Sequence, residues 1–341
     1  MSIYPLKLTP FFRHGEQTPW GGRALSDIFG KAIPDDQTGE SLEISALPGM
    51  ESVIENGELA GKPLSVAVDQ WKQDLTGPHA GEFPLLVKLL DAKETLSVQV
   101  HPDDEYAKAH EGKLGKSEAW VVLSAPPGSK LVYGVDTQGK TLEECVEAGE
   151  LEQALTWLPV SPGDVLYIPH GMVHALGTAG APGDLIIYEI QQSSDVTYRF
   201  WDWGRVDKAG NPRELHTQKA LDVTRADLRL PKLAGSTYLA DGGSVTAYIC
   251  SEYFELSRLN VAGKMPLESG RMLLLTAMGV CDVTWGNESI ALMPGDSMLI
   301  PAAMSGVSIS GQLPVLCACL PDQEKLRAIL GYRASAVAGL T

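Results

Sequence analysis

In Leu96-Ser97-Val98-Gln99-Val100-His101-Pro102, apolar and polar residues alternate strictly. A strand here would turn Leu96, Val98 and Val100 to one face and Ser97, Gln99 and His101 to the other. Residues two apart on a strand lie about 6.6 Å apart, near enough for a Gln99 carbonyl oxygen and a His101 ring nitrogen to reach one ion. Two more ligand-type residues sit in similarly punctuated segments: Glu118 in Gly115-Lys116-Ser117-Glu118-Ala119-Trp120, and His174 in Pro169-His170-Gly171-Met172-Val173-His174. Two imidazoles, one carboxylate and one amide form a nitrogen and oxygen set suited to zinc.

The elements that must hold these residues are short strands. Pro162-Gly163-Asp164-Val165-Leu166-Tyr167-Ile168-Pro169 recurs 132 residues later as Pro294-Gly295-Asp296-Ser297-Met298-Leu299-Ile300-Pro301, each a tight turn feeding an apolar strand that ends at proline. Short strands between Gly and Pro turns run from Phe83 to Ile190 and again from Val245 to Leu320, the texture of closed or double-sheet antiparallel barrels. The expected fold is mainly β, two barrels with a few short helices, divided into an N-terminal catalytic domain (1–235) and a C-terminal barrel (236–341). In the second copy His170 becomes Ala302 and His174 becomes Gly306, so the metal chemistry belongs to the first barrel alone. Packing, solubility, a lid or dimerisation remains for the second.

Helices are expected in few places. Leu64, Val68, Trp71 and Leu75 share a helical face, and Thr141-x-x-Glu144 forms a capping box before a run that Gly149 should split. Pro102 suits the first turn of a helix over Asp103 to His110, and Asp322 to Leu330 should form a terminal helix.

A chain of 341 residues with a net charge of -16 is long enough for about two domains. Its charge argues against nucleic acid and anionic membrane surfaces as partners. Met1 to His14 lacks the apolar core of a signal peptide and no segment reaches the ~20 apolar residues of a membrane span, so a cytoplasmic location is expected. Five scattered cysteines suggest neither a disulfide framework nor a zinc knuckle, and Cys317-x-Cys319 reads as ordinary buried thiols.

Four segments, Pro84 to Pro102, Gly115 to Trp120, Ile168 to Gly177 and Glu189 to Arg205, resemble the type I mannose-6-phosphate isomerases in their short bacterial form. The likeness extends through Trp20 to Leu25 and Gly39 to Ser45, although Leu42 stands where tryptophan is usual in that family. It implies a cupin-type jelly-roll fold and one zinc per chain held by Gln99, His101, Glu118 and His174. It also implies an aldose–ketose isomerisation of a phosphosugar, mannose 6-phosphate to fructose 6-phosphate, by proton transfer through an enediolate. Asp195 and Arg199 match the family's active-site pair, with the arginine catalytic; spacing alone also allows an i,i+4 surface ion pair. Lys116, two residues from Glu118, is a candidate for proton transfer or phosphate contact. Lys88, Ser97 and Glu189 are expected to contact substrate; Lys88 in an apolar strand needs an anion beside it.

Two other function classes fit less well. An iron-dependent cupin oxygenase prefers a histidine-rich site with open positions, where this chain has Gln99. A non-catalytic sugar-phosphate sensor would have no use for an acid/base set. An isomerase of a different phosphosugar stays open, as does the choice between monomer and homodimer. Arg13-His14-Gly15-Glu16 has the appearance of a phosphohistidine motif, but Pro10-Phe11-Phe12 before it is no apolar strand of an α/β sandwich, and His14 is read as a structural or surface residue.

Overall fold

Both Pro-Gly-Asp turns deliver their strands into antiparallel ladders. Val165–Ile168 pairs with Glu118–Ser124, and Ser297–Ile300 pairs with Leu273–Ala277. The computed structural model describes residues 2–322 apart from 80, 178, 179, 182 and 313. All but the first residue of the expected terminal helix over 322–330 falls outside them.

Strand order repeats as well as sequence. One six-stranded sheet runs Val165–Ile168, Glu118–Ser124, Leu185–Gln192, Leu85–Ala92, Thr38–Ile44, Phe11–His14. The same succession reappears within an eight-stranded sheet as Ser297–Ile300, Leu273–Ala277, Pro314–Cys319, Glu255–Val261, Gly243–Cys250, Ser236–Ala240, extended past Ser297–Ile300 by Leu6–Thr9 and Val53–Ile54. A five-stranded sheet (Tyr198–Trp201, Val98–Val100, His174–Ala175, Lys130–Val135, Leu155–Pro159) accompanies the first, and a four-stranded sheet (Lys264–Pro266, Ser308–Gly311, Cys281–Trp285, Glu288–Leu292) accompanies the second. The expected mainly-β, double-sheet cupin-type architecture is what the chain adopts.

The chain separates into two compact units that interleave in sequence: residues 12–41 with 88–232, and residues 1–11 with 42–87 and 233–341. The contiguous division expected from sequence, 1–235 and 236–341, differs by placing 1–11 and 42–87 with the N-terminal part. Local patterning gives no sign of this, because what recruits Leu6–Thr9 is pairing with Ser297–Ile300, at the other end of the chain.

The helices follow their sequence signals with small differences. Asp103 is the cap of Asp104–Glu111 and accepts from the Tyr106 N–H, so the helix begins one residue later than Pro102 suggested. Thr141 and Glu144 form the capping box of Leu142–Glu147, and Gly149 separates it from Leu151–Ala154. The single helix expected over Leu64 to Leu75 is two, Leu64–Trp71 and Gln73–Thr76, because Lys72 turns to φ 47° between them. A left-handed residue there breaks the i to i−4 ladder.

Candidate active site and metal centre

Alternation along Glu118–Ser124 sets Glu118 and Trp120 on one face, opposite Gln191 and Glu189 of the neighbouring strand. In the five-stranded sheet, His174 lies directly across from Gln99, and His101 follows the strand that carries Gln99. Gly115 makes the entry to Glu118 possible, since a Cβ there would lie 2.4 Å from the Asp103 carbonyl carbon.

His101, Glu118 and His174 are all buried, and one ligand atom from each lies within 4.8 Å of the other two. Both rings are oriented by the main chain: His101 Nδ1–H donates to the Val196 carbonyl and His174 Nδ1–H to the Met172 carbonyl, each at 2.8 Å. Each Nε2 is thereby left as the bare nitrogen, 3.7 Å (His101) and 3.3 Å (His174) from Glu118 oxygens. Burial, and then the Lys116 ammonium, hold His101 well below the usual histidine range; burial likewise takes His174 down to about 4. Two neutral imidazoles beside a carboxylate are in the protonation state that metal binding needs. The Gln99 amide lies beside them, its Nε2 3.3 Å from His174 Nε2; a half-turn of that amide presents the oxygen instead.

The donor set fits a metal ion. His101 Nε2 and both Glu118 oxygens are buried without an aligned hydrogen-bond donor, although Lys116 Nζ stands 2.7 Å from Glu118 Oε2 as an ion pair. Buried lone pairs left in that condition are costly unless a cation completes them.

Around this core runs a chain of buried charge. Lys88 Nζ lies 3.3 Å from both Glu40 Oε2 and Glu189 Oε1, Arg13 reaches Glu40 at 3.0 Å, and Trp120 Nε1–H donates to Glu189 at 2.8 Å. Three cations, Arg13, Lys88 and Lys116, thus interleave with three carboxylates, Glu40, Glu118 and Glu189. Against burial, Lys88 and Arg13 hold Glu40 down to about 2, and Lys88 and Lys116 keep Glu189 below its ordinary value. Burial and the Glu189 charge push Glu118 up to about 7, where a cation would bring it down again. Ser97 is buried on the Gln99 face, its hydroxyl 3.4 Å from the Gln99 oxygen.

Arg199 faces Gln99 across the strand pair, its Nη1–H donating to the Glu214 carbonyl at 2.7 Å while Nε has no partner. Burial, followed by neighbouring Arg213, lowers its pKa. Asp195 is not brought into this cluster. Its exposed carboxylate pairs with Lys113 at 2.6 Å, so the spacing of Asp195 and Arg199 describes neither a shared site nor a pair with each other. His14 is likewise a surface group, 2.6 Å from Asp35.

The description "Phosphomannose isomerase type I, catalytic domain" matches residues 7–121, and "Mannose-6-phosphate isomerase, cupin domain" matches residues 244–319. A mannose-6-phosphate isomerase of Streptococcus mutans is 37% identical over 303 residues, 87% of this chain and 93% of that relative. The chain belongs to the type I phosphomannose isomerase family. Its fold agrees closely with the crystal structure of the mannose 6-phosphate isomerase from Bacillus subtilis, at a TM-score of 0.84 and 34% identity, covering 92% of this chain and 99% of that one.

Within this type I isomerase, sequence reasoning overlooked Arg13, Glu40 and Trp120. Glu40 had a usable signal. It lies in Thr38–Ile44, buried along its whole length, and a glutamate inside such a strand requires cations within reach.

Proposed function

We propose that this chain interconverts mannose 6-phosphate and fructose 6-phosphate with one zinc ion held by Gln99, His101, Glu118 and His174. The observation that carries this reading is the convergence of two oriented, neutral imidazoles and a buried carboxylate paired with Lys116 beside alternating cations and carboxylates, in a chain of this family. When bound, zinc would supply a positive field that draws substrate hydroxyl and enediolate oxygens.

The protein's own groups supply the rest. Lys116, beside Glu118, carries a proton between substrate atoms, and Glu189, kept ionised by Lys88 and oriented by Trp120, accepts one. Lys88, Ser97 and Glu189, all buried, hold the sugar phosphate. Arg199 meets the negative charge that develops on the enediolate, or holds the phosphate; the first lowers kcat and the second raises KM when the guanidinium is removed. Asp195, turned to Lys113, has no part in this assignment.

A coupled assay with mannose 6-phosphate, run before and after chelation with metal content measured in parallel, tests the proposal. Turnover that disappears with the zinc and returns on adding it is the expected result. Full turnover in metal-stripped protein would overturn the metal assignment, and turnover confined to another phosphosugar would overturn the substrate.

A further inference from the structure

Arg199 sits in Tyr198–Trp201, the edge strand of the five-stranded sheet. On such a strand the N–H and C=O of one residue point to the same side. Arg199 turns both away from its strand partner and toward a single residue: the His216 N–H donates to the Arg199 carbonyl at 2.8 Å, and the Arg199 N–H donates to His216 Nδ1 at 3.2 Å. The His216 ring thus replaces the carbonyl that a further strand would offer. Because the Arg199 main chain is occupied at that outer edge, Arg199 and Gln99 form a non-hydrogen-bonded pair, the kind in which opposite Cα atoms come closest, about 4.5 Å.

We infer that His216 is a positioning residue for Arg199, its ring nitrogen acting as the acceptor that fixes the arginine's main chain opposite Gln99. The inference rests on the first of the two roles proposed for Arg199, that of meeting the charge that develops in the transition state. An acceptor at Nδ1 requires the neutral ring, since imidazolium offers only donors. Arg199 and Tyr198 face the ring from the strand, Glu214 at 3.9 Å from its own segment, Lys219 from Thr217–Val223 and Glu111 from Asp104–Glu111. Lys219 and Glu111 pair at 2.7 Å, and the Tyr198 hydroxyl donates to Glu111. Burial and then the Arg199 charge keep the ring below its ordinary pKa, favouring the accepting form at neutral pH.

Asparagine carries its side-chain oxygen on the same atom, Cγ, that bears Nδ1 in histidine, so it can accept the Arg199 N–H without titrating. With the zinc-loaded protein, H216A should lose roughly 10-fold to 10²-fold in kcat with little change in KM, the scale of a misplaced catalytic group. H216N should recover most of that loss. The ratio of wild-type to H216N kcat should be flat above neutrality and fall on the acid side, below the ordinary histidine range, as the ring is protonated. In H216A the Arg199 amide should lose hydrogen-exchange protection while melting shows a folded protein. Two further variants separate this idea from the reading beneath it: R199A should lose kcat itself, and H216A should add nothing in the R199A background. An R199A protein with ordinary kcat would remove Arg199 from the chemistry and the inference with it. If R199A is impaired but H216A is not, or if a folded H216N fails to recover activity, His216 alone is wrongly assigned. Should H216A not fold, the H216N pH ratio and Arg199 exchange decide, and a ratio independent of pH overturns the proposal.

Discussion

Glu118 and Leu273 occupy corresponding places in the two copies of one scaffold. Glu118 faces Ile168 on one side and Gln191 on the other; Leu273 faces Ile300 and Cys319. Two residues along, Trp120 faces Glu189 where Leu275 faces Cys317. One set holds a carboxylate chain threaded with lysines. The other joins Leu273, Leu275, Met298, Ile300, Cys317 and Cys319 in a continuous apolar cluster. Burial pushes the Cys317 thiol up to about 12 and Cys319 well above the ordinary range, so these sulfurs behave as small apolar fillers rather than ligands. The ladders are indifferent to this exchange, because backbone pairing and turn chemistry are shared. A duplicated scaffold can give up its chemistry at a handful of inward positions while keeping its fold.

Experiments that strip chemistry from the first copy should therefore cost function, and those in the second only stability. The largest effect is expected from H101A or H174A. Loss of one ligand should weaken metal binding by more than about 10²-fold, beyond the usual cost of losing an outer-sphere partner, and elemental analysis should find the site empty. Stoichiometric zinc in both variants would mean the metal is held elsewhere.

An intermediate effect is expected for E40Q, which leaves Arg13 and Lys88 short of an anion. Breaking a buried ion pair costs about 3–5 kcal/mol, read by urea denaturation across a pH series. Glu40 is held at about 2 against an ordinary 4.5. Its unfolded form binds the proton first as pH falls, so the wild-type advantage should be complete above about 4.5 and lost as pH drops toward 2. An advantage unchanged down to pH 2 would show that the carboxylate charge is not what stabilises the wild type. Smallest of all, C317A should cost about 1 kcal/mol and leave both metal content and turnover as they were. A change in zinc stoichiometry would erase the contrast between the copies.

Much of this was legible in the chain because the deciding information is local. Alternation placed Gln99 and His101 on one face, the duplicated Pro-Gly-Asp turn announced two related units, and Thr141 and Glu144 disclosed their helix. What stayed hidden depends on partners distant in sequence. Arg13, Glu40, Lys88 and Glu189 come from four separate strands, and nothing near Glu40 states that Lys88 will lie beside it. Asp195 shows the converse: spacing puts it near Arg199 along the chain, but the turn after Leu185–Gln192 directs its carboxylate to Lys113.

The interleaving of the units also bears on how the chain is made. Leu6–Thr9 leaves the ribosome some 290 residues ahead of its ladder partner Ser297–Ile300. At roughly 5–20 residues per second, that strand waits on the order of 15 to 60 seconds for its long-range neighbour. During that interval residues 12–41 and 88–232, which form the other unit, are complete well before the end of translation. The unit that holds His101, Glu118 and His174 can be assembled before Ser297–Ile300 of the other unit is synthesised.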